Sequence, residues 1–171
     1  MIFGDKVVLR AWIASDLPVL HSLRNNLPLQ QQLMAHPKGN SPDQVMDWLS
    51  ARTKSSDTLF FIIACKSSNN VLGYVQTIGI DFLNGVGKLG ICIAPDSQRK
   101  GYGGETITLL ETYLRDVFQL RKLTLEVLAE NNVAIGLYIN HGYREVGRLY
   151  AHFYINNKYS DVVIMEKLIC L

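Results

Sequence analysis

The sequence contains little cysteine, and Cys65, Cys92 and Cys170 stand far apart along the 171 residues. A disulfide framework needs paired cysteines and a C-x-x-C metal or redox site needs close ones, so neither is available within this chain. The histidines show no metal-ligand spacing with cysteine, aspartate or glutamate, and no metal site is predicted. We therefore expect a protein of a reducing, cytoplasmic compartment.

A charge excess and long apolar runs are also missing. Lys and Arg total 17 against 15 Asp and Glu, a net charge of +2 without the basic stripe that follows a phosphate backbone, so nucleic acid is not an expected partner. No stretch approaches a membrane span, and the start M-I-F-G-D-K lacks a signal-peptide core, so a membrane is not expected either. With 48% hydrophobic residues, one domain over residues 1–171 is predicted.

Hydrophobic periodicity predicts the order of strands and helices. Strands are expected at residues 6–12, 59–66, 71–80, 86–94 and 121–129, with a closing hairpin at 143–154 and 158–168. Helices are expected at residues 17–26, capped by Ser15-Asp16, at 44–54, opened by Ser41, Pro42 and Gln44, and at 105–118 and 130–141. The predicted fold class is α/β with a mixed sheet (α+β): antiparallel strands, then a strand-helix-strand crossover, then a hairpin.

Residues 98–104 read Q-R-K-G-Y-G-G and lie between a predicted strand and a predicted helix. Glycine lets backbone approach a ligand closely, and the free N–H groups of a helix N-terminus attract phosphate. The Walker and kinase loops do not fit, and the third position of a dinucleotide fingerprint is occupied by Thr106. Taken alone, the loop could also be a plain connection whose glycines serve turn geometry.

The pattern Q-x-x-G-x-G resembles the coenzyme A pyrophosphate loop of the GNAT acetyltransferase superfamily. A second stretch of that family, N-x-x-A-x-x-x-Y-x-x-x-G-[F/Y], is matched at Asn131, Ala134, Tyr138, Gly142 and Tyr143. The two ends of the chain, V-V-L-R-A-W-I-A-S-D-L and H-F-Y-I-N-N-K-Y-S-D-V-V-I-M-E-K-L, are similar to the subgroup of ribosomal-protein, spermidine and nucleotide-amino-sugar N-acetyltransferases. The resemblance spans nearly all of the chain.

This resemblance implies a GNAT-like fold and transfer of an acetyl group from acetyl-CoA, a cosubstrate, to a primary amine by direct attack in a ternary complex. It implies that the coenzyme is bound by Ile91, Cys92, Ile93, Gln98, Arg99, Lys100, Gly101, Tyr102, Gly103, Gly104 and Asn131. The resemblance also implies that Tyr138 is catalytic and protonates the leaving thiolate. A backbone N–H of Ile93 or Cys92 would polarise the thioester carbonyl.

Each of these residues also has a plain structural interpretation. Tyr138 could be a half-buried aromatic of a helix face, and Asn131 a helix N-cap. Cys92 invites an acetyl-cysteine intermediate, but its position between isoleucines favours a small core residue.

The general base is where the sequence departs from the family pattern. An alkyl amine has a pKa of ~10.4, so near neutral pH a base or water must take its proton. Many members of the subgroup carry a glutamate where this chain has Lys88. We predict Glu126 as the substitute, with two alternatives: a surface partner for Lys122 or Lys88, or proton transfer through water.

The acceptor is predicted less directly. His152 and Asp81 lie in segments that border the acceptor pocket in related proteins, and a small-molecule amine, first a nucleotide-linked amino sugar, is expected. A peptide or protein N-terminus is the second choice. A polyamine is the third, because residues 20–36 contain no carboxylate for a polycation. A non-catalytic coenzyme A-binding module is the alternative from another class, and a homodimer is an assembly frequent in the family.

Overall fold

A computed structural model of the protein describes residues 1–170. Its strands are β1 (Ile2–Phe3), β2 (Val7–Arg10), β3 (Leu59–Cys65), β4 (Val71–Asp81), β5 (Val86–Ile93), β6 (Lys122–Leu128), β7 (Arg144–Ile155) and β8 (Lys158–Leu168). Its α-helices are α1 (Leu17–Asn25), α2 (Leu27–Gln32), α3 (Pro42–Lys54), α4 (Tyr102–Phe118) and α5 (Asn132–Asn140). Within this part of the chain, no helix is long and apolar enough to span a bilayer.

All eight strands form one sheet, in the order β1-β2-β3-β4-β5-β6-β8-β7. Neighbouring strands are antiparallel except β5 and β6, which are parallel and connected through α4. The predicted fold class is confirmed: an antiparallel series of strands is followed by the strand-helix-strand crossover and the closing hairpin of β7 and β8.

The N-terminal third differs most from the sequence prediction. The strand expected over residues 6–12 is only four residues long, Val7–Arg10, and the short β1 pairs with it. Helix α2 was not predicted, because its six residues, L-P-L-Q-Q-Q, are too few to show a helical period. Its cap is nevertheless in the sequence: the side chain of Asn26 accepts a hydrogen bond from the N–H of Leu29 at 3.0 Å.

Two predicted helix starts have opposite outcomes. Ser41 and Gln44 form the expected capping box, with Gln44 N–H donating to Ser41 Oγ at 3.2 Å and Ser41 N–H donating to Gln44 Oε1 at 2.8 Å. Asp16 does not cap α1 with its side chain. Its carboxylate instead accepts two hydrogen bonds from Arg10, at 2.8 and 2.9 Å, and one from the N–H of Ile13 at 2.8 Å. This buried ion pair joins β2 to the start of α1.

The two faces of the sheet carry separate cores. On one face, the buried side of α4, formed by Ile107, Leu110 and Leu114, packs with α5 against the sheet. On the other face, α1, α2 and α3 cover β3, β4 and β5, with Leu20 and Leu49 fully buried. A fully buried leucine contributes roughly 1.5–3 kcal/mol. Each helical layer is therefore held to the sheet mainly by apolar contact.

Candidate active site

The parallel pair of β5 and β6 separates partway along its length. The last pair in its register is Lys88↔Thr124, and within residues 1–170 no later pair joins the two strands. β5 continues to Ile93 and β6 to Leu128, so their C-terminal halves diverge and leave a cleft in the sheet. The facing strand edges present N–H and C=O groups that need partners, which suits an extended ligand.

The N–H of Ile93 is directed into this cleft. Neighbouring residues of a strand direct their N–H groups to opposite sides, and the next residue, Ala94, donates its N–H to the carbonyl of Leu72, at the start of β4, at 2.8 Å. The N–H of Cys92 therefore points towards β4, where Cys92 pairs with Tyr74. Of the two groups predicted to polarise a carbonyl, only that of Ile93 faces the cleft.

The thiol of Cys92 is buried on the α1–α3 face of the sheet. Its side chain belongs to the same core cluster as Leu20 and Tyr74, and the residue is 1% exposed. Burial raises the pKa of this thiol to about 12, so it is neutral near pH 7 and a poor nucleophile. This environment fits a small core residue and not an acetyl-cysteine intermediate.

The loop Q-R-K-G-Y-G-G lies just past the end of β5 and is shaped by its own side chains. Gln98 donates from Nε2 to the carbonyl of Ile93 at 3.1 Å, and Lys100 donates from Nζ to the carbonyl of Asp96 at 2.7 Å. These two side chains, expected to contact the coenzyme, therefore fix the loop on its own backbone in this structure.

Helix α4 begins three residues earlier than the sequence predicted, at Tyr102. Arg99 and Gly101 have positive φ angles of 61° and 84°, and these turn the chain into the helix. Gly103 and Gly104 consequently lie in the first turn, where backbone N–H groups have no intrahelical acceptor. The loop thus presents the N-terminus of a 17-residue helix, a favourable place for phosphate.

The glycines of this first turn also allow close packing against α5. A Cβ atom on Gly104 would lie 2.8 Å from the imidazole of His141, and one on Gly103 would lie 3.3 Å from the side chain of Leu137. The sequence analysis related these glycines to the coenzyme or to turn geometry. The structure adds that they bring α4 and α5 together beside the cleft.

A surface cavity of about 560 Å³ adjoins the loop, and it is lined by Asp5, Lys6, Cys65, Lys66, Ser67, Lys100 and Tyr102. Three of these residues are lysines, and Lys6 also donates from Nζ to the carbonyl of Lys100 at 3.4 Å. Sequence reasoning missed Lys6 and Lys66, because the pairing of β2 with β3 brings them to the loop from distant parts of the chain. Their positive charge adds to that of the helix N-terminus and favours an anion.

Tyr138 lies on α5 with its ring in the core next to the cleft. It is 7% exposed, belongs to the cluster that Ile91 and Ile93 pack against, and its ring centre is 5.7 Å from that of Tyr143. Burial raises the pKa of its hydroxyl to about 12. The phenol is therefore neutral at physiological pH and available as a proton or hydrogen-bond donor.

Asn131 has the structural role of an N-cap. Its side-chain oxygen accepts the N–H of Ala134 at 3.1 Å and so starts α5. The amide NH₂ group and the second lone pair of this oxygen are left for the coenzyme contact implied by the family resemblance.

Lys88 and Glu126 meet on the face of the sheet opposite α4. Leu89 and Leu125, their neighbours in sequence, pack in the α4 cluster, and side chains alternate along a strand. Lys88 Nζ lies 2.8 Å from Glu126 Oε2, with the side chains 41% and 33% exposed. Of the two surface partners considered for Glu126, Lys88 is thus the one observed, whereas Lys122 pairs with another carboxylate.

Asp81 lies at the end of the sheet away from the cleft. It pairs with Val86 at the start of β5, whereas the cleft opens towards Ile93. Its carboxylate accepts the backbone N–H of Asn84 at 2.9 Å and the side-chain amide at 2.6 Å, and these bonds lower the pKa of Asp81. Asp81 is therefore a turn residue and not the acceptor contact expected from the sequence.

His152 is exposed on β7, within a register irregularity between Leu149 and Phe153. The ring that packs inward here is the next one, because Phe153 stacks on His36 with ring centres 4.6 Å apart and planes 5° apart. The loop after α2 thereby reaches across to the C-terminal hairpin. His152 as an acceptor contact stays a prediction, and sequence reasoning missed the pair of His36 and Phe153.

The donor groups around the cleft fit one type of ligand. The apolar cleft with its free strand edges suits an extended chain, and the helix N-terminus with its lysines suits phosphates. Among residues 1–170, no group of three or more His, Cys, Asp or Glu is arranged to hold a metal ion. Fold and site together define an acyltransferase that takes its acyl group from a coenzyme A thioester.

The family follows from comparison with known proteins. The model of the family described as "Acetyltransferase (GNAT) domain" matches residues 9–164. Because this match covers most of the chain, the chain belongs to the GNAT acetyltransferase family, and it is an acetyl-CoA-dependent N-acetyltransferase.

The chain is also similar to individual members. A spermidine N(1)-acetyltransferase of Vibrio cholerae is 29% identical over 159 residues, which are 93% of this chain and 91% of that protein. A crystal structure of the V. cholerae enzyme with CoA and spermine has a TM-score of 0.88 at 29% identity and covers 95% of each chain. A dodecameric structure of that enzyme has a TM-score of 0.82 at 29% identity, covering 96% of this chain and 94% of that one.

Proposed function

We propose that this enzyme acetylates a primary amine of a small molecule by direct attack on acetyl-CoA in a ternary complex, with Tyr138 as the acid. The observation that carries the proposal is the neutral, buried hydroxyl of Tyr138 in the cluster that Ile93 packs against. The N–H of Ile93, which faces the cleft, binds the thioester carbonyl oxygen and stabilises the negative charge that develops on it.

The proposed coenzyme contacts follow from charge and backbone geometry. The first turn of α4 binds the pyrophosphate through its N–H groups, with Arg99 and Lys100 nearby, and Gly103 and Gly104 admit it closely. The cavity beside the loop, which contains Lys6 and Lys66, takes a further anionic part of the molecule. The bound thioester supplies an acyl group with a thiol leaving group of pKa ~8.5.

The amine must lose its proton on the face of the sheet opposite α4. Glu126 is the carboxylate of β6 on this face, and it lies two residues beyond the last pair of β5 and β6. Its ion pair with Lys88 has to open before Oε2 can accept a proton. We propose that Glu126 is the base, while water is the alternative that the sequence analysis left open.

Glu126→Gln and Lys88→Met separate these routes. If Glu126 is the base, Glu126→Gln lowers kcat/KM by about 10²-fold or more, whereas Lys88→Met leaves it within a few fold. Equal small losses of kcat/KM in both variants would indicate that the ion pair is only a surface contact and that water accepts the proton of the amine. A pH profile of kcat/KM for each variant is the measurement.

The acceptor class is proposed more broadly than the sequence analysis first placed it. The similar proteins reported above are named as spermidine acetyltransferases, so they do not support the preference for a nucleotide-linked amino sugar. We keep a small-molecule amine as the acceptor, with polyamines and amino sugars as competing classes and peptide N-termini as the second choice. A homo-oligomer is proposed by analogy with the dodecamer of the V. cholerae enzyme.

Thiol release from acetyl-CoA tests the function. The purified chain is mixed with polyamines, amino sugars, nucleotide-linked amino sugars and short peptides, and mass spectrometry identifies the acetylated product. Release that depends on one amine class supports the proposal. Binding of coenzyme A without acetylation of any amine would favour a coenzyme-binding module instead.

A further inference from the structure

The α1–α3 face beside the cleft carries a half-buried cation, Arg24, near the C-terminal end of α1. Its guanidinium carbon lies 4.6 Å from the centre of the Trp48 ring, and Nη1 donates to Gln30 Oε1 at 3.2 Å. Gln30 is 1% exposed, so the arginine head rests on a buried polar group and an aromatic ring. The stacked ring and the amide hold the guanidinium in a fixed orientation.

No carboxylate neutralises this arginine. None of the ion pairs within residues 1–170 includes Arg24, and its Nε is buried without a hydrogen-bond partner there. The fully buried Arg10, in contrast, has Asp16 as a bidentate partner. The positive charge of Arg24 is therefore not balanced by an ion pair within these residues, and an incoming anion would balance it.

Arg24 stands close to the reacting end of the cleft. The ring of Trp48 lies 5.3 Å from that of Tyr74, and Tyr74 pairs with Cys92, the residue before Ile93. The positive charge of Arg24 also acts to lower the pKa of Tyr74 and of Cys92, against the larger effect of burial, which raises both. Its charge therefore reaches the part of β5 where the acyl group would react.

Helices α1 and α2 and the Glu126 position do not suit a polycation, whereas the aspartates of this face, Asp43 and Asp47, are exposed on α3. Glu126 is paired with Lys88, and the helical segment of α1 and α2, residues 17–32, contains no Asp or Glu. A spermidine molecule would bring positive charges next to Arg24, without an unpaired carboxylate on these two helices to receive them. An acceptor with a negative group meets the opposite situation.

We propose that the acceptor is a primary amine that also carries an anionic oxygen group, a carboxylate or a phosphate, and that Arg24 binds this group. The inference rests on the proposed function, because it names the acceptor class of the same site. Because Nε is buried, the donors that remain for an anion are the two Nη groups. They form a planar pair that matches two oxygens of either anion, and such charge-assisted bonds are short and directional. Arg24 thus positions the acceptor so that its amine faces the carbonyl held at Ile93.

Matched pairs of amines test the proposal in the thiol-release assay. Each pair differs only in the anion: lysine against cadaverine, O-phosphoethanolamine against ethanolamine, and glucosamine 6-phosphate against glucosamine, with spermidine as a separate arm. We expect at least one member with an anion to exceed its partner without the anion, and spermidine, by about tenfold or more in kcat/KM. The carboxylate and phosphate arms tell the two anions apart.

Arg24→Gln should abolish this preference by raising KM for the amine with the anion about tenfold or more, with a small change in kcat. The same variant should leave KM and kcat unchanged for amines without an anion. Arg24→Lys keeps the charge and should retain part of the preference. Arg52→Gln makes the same charge change on α3 and serves as the control.

The outcomes separate the inference from the function on which it rests. Equal rates within every pair, or a preference for spermidine, would overturn the anion assignment and leave acetyl transfer intact. No thiol release with any amine would overturn both. If Arg24→Gln does not fold, as its melting curve would show, the wild-type pairs and Arg24→Lys still decide.

Discussion

The sharpest prediction concerns replacement of Tyr138 by phenylalanine. The change removes one oxygen from a residue that is 7% exposed and leaves the ring that packs near Tyr143. Burial is the cause of the raised pKa, and among residues 1–170 no hydrogen bond joins this hydroxyl to another group, so none has to be broken. The fold and the coenzyme affinity should therefore change little, and the effect should fall on the chemical step.

The expected size of the effect follows from the two pKa values. The Tyr138 hydroxyl has a pKa of about 12, and a free thiol has ~8.5, so full proton transfer to a solvated thiolate is uphill by about 5 kcal/mol. A thiolate inside the apolar cleft is more basic than one in water, because burial disfavours its charged form. The difference between the pKa values of the phenol and the thiol is therefore smaller in the cleft. General acid assistance typically contributes ~10²–10⁴-fold, and we expect kcat to fall by about 10²–10³-fold.

Steady-state kinetics with a coenzyme A binding measurement tests this reasoning, and Tyr113→Phe on α4 is the matched control. A pKa near 12 means that the acid stays protonated through the usual assay range. At pH values lower than about 10, kcat should therefore show no decrease caused by ionisation of Tyr138. A Tyr138→Phe variant with wild-type kcat would refute the assignment. So would a fall in wild-type activity near pH 8–9 that the variant no longer shows.

Two further predictions concern stability. Asp16→Asn leaves the buried guanidinium of Arg10 without its charge partner, and we expect the free energy of unfolding in urea to drop by about 3–5 kcal/mol. Burial acts to raise the pKa of Asp16, but hydrogen bonds and the Arg10 charge lower it overall, so its stabilisation is complete above ~pH 4 and is lost as pH falls through the lower folded pKa. Gly136→Ala in α5 adds a methyl with no atom within 4 Å and should raise the unfolding free energy by about 0.5–1 kcal/mol.

Each stability prediction has its own control. Asp47→Asn changes an exposed carboxylate of α3 and should alter the free energy of unfolding by less than about 0.5 kcal/mol. An Asp16→Asn variant as stable as Asp47→Asn would contradict a structural role for the buried pair. For the helix, Gly104→Ala is the counterpart, because its added Cβ would lie 2.8 Å from His141. Stabilisation by both alanines would mean that α4 and α5 are less closely packed than the structure has them.

The fold was predictable wherever the local pattern was long enough. The eleven-residue β4 is a long apolar run and the 17-residue α4 shows a clear helical period. The crossover follows from the order β5, α4, β6. Short elements were not predictable: β1 has two residues, and α2 has six. Asp16 shows a different limit, because a capping residue and an ion-pair partner look the same in sequence until the fold brings Arg10 to it.

The residues proposed for the coenzyme side could be recognised in the sequence, whereas the surroundings of those proposed for the acceptor side could not. The spacing from Asn131 to Tyr143 is local to one helix, so it could be recognised along the chain. In contrast, Arg24 reaches its surroundings through α3 and β4, and the stack of His36 on Phe153 joins residues more than a hundred positions apart. The position of Asp81 relative to the cleft could not be predicted for the same reason, since it depends on strand register.

The difference between the coenzyme side and the acceptor side determines how much of the function can be inferred from similarity to known proteins. The proposed coenzyme side consists mainly of backbone: diverging strands, a helix N-terminus and the N–H of Ile93. Backbone geometry is shared with the V. cholerae enzyme at a TM-score of 0.88 even though identity is 29%, so acetyl transfer extends to this chain. The proposed acceptor side consists of side chains such as Arg24, Lys88 and Glu126, and at that identity most side chains differ. The charge of those residues in this chain, more than the name of a relative, should therefore decide which amine is acetylated.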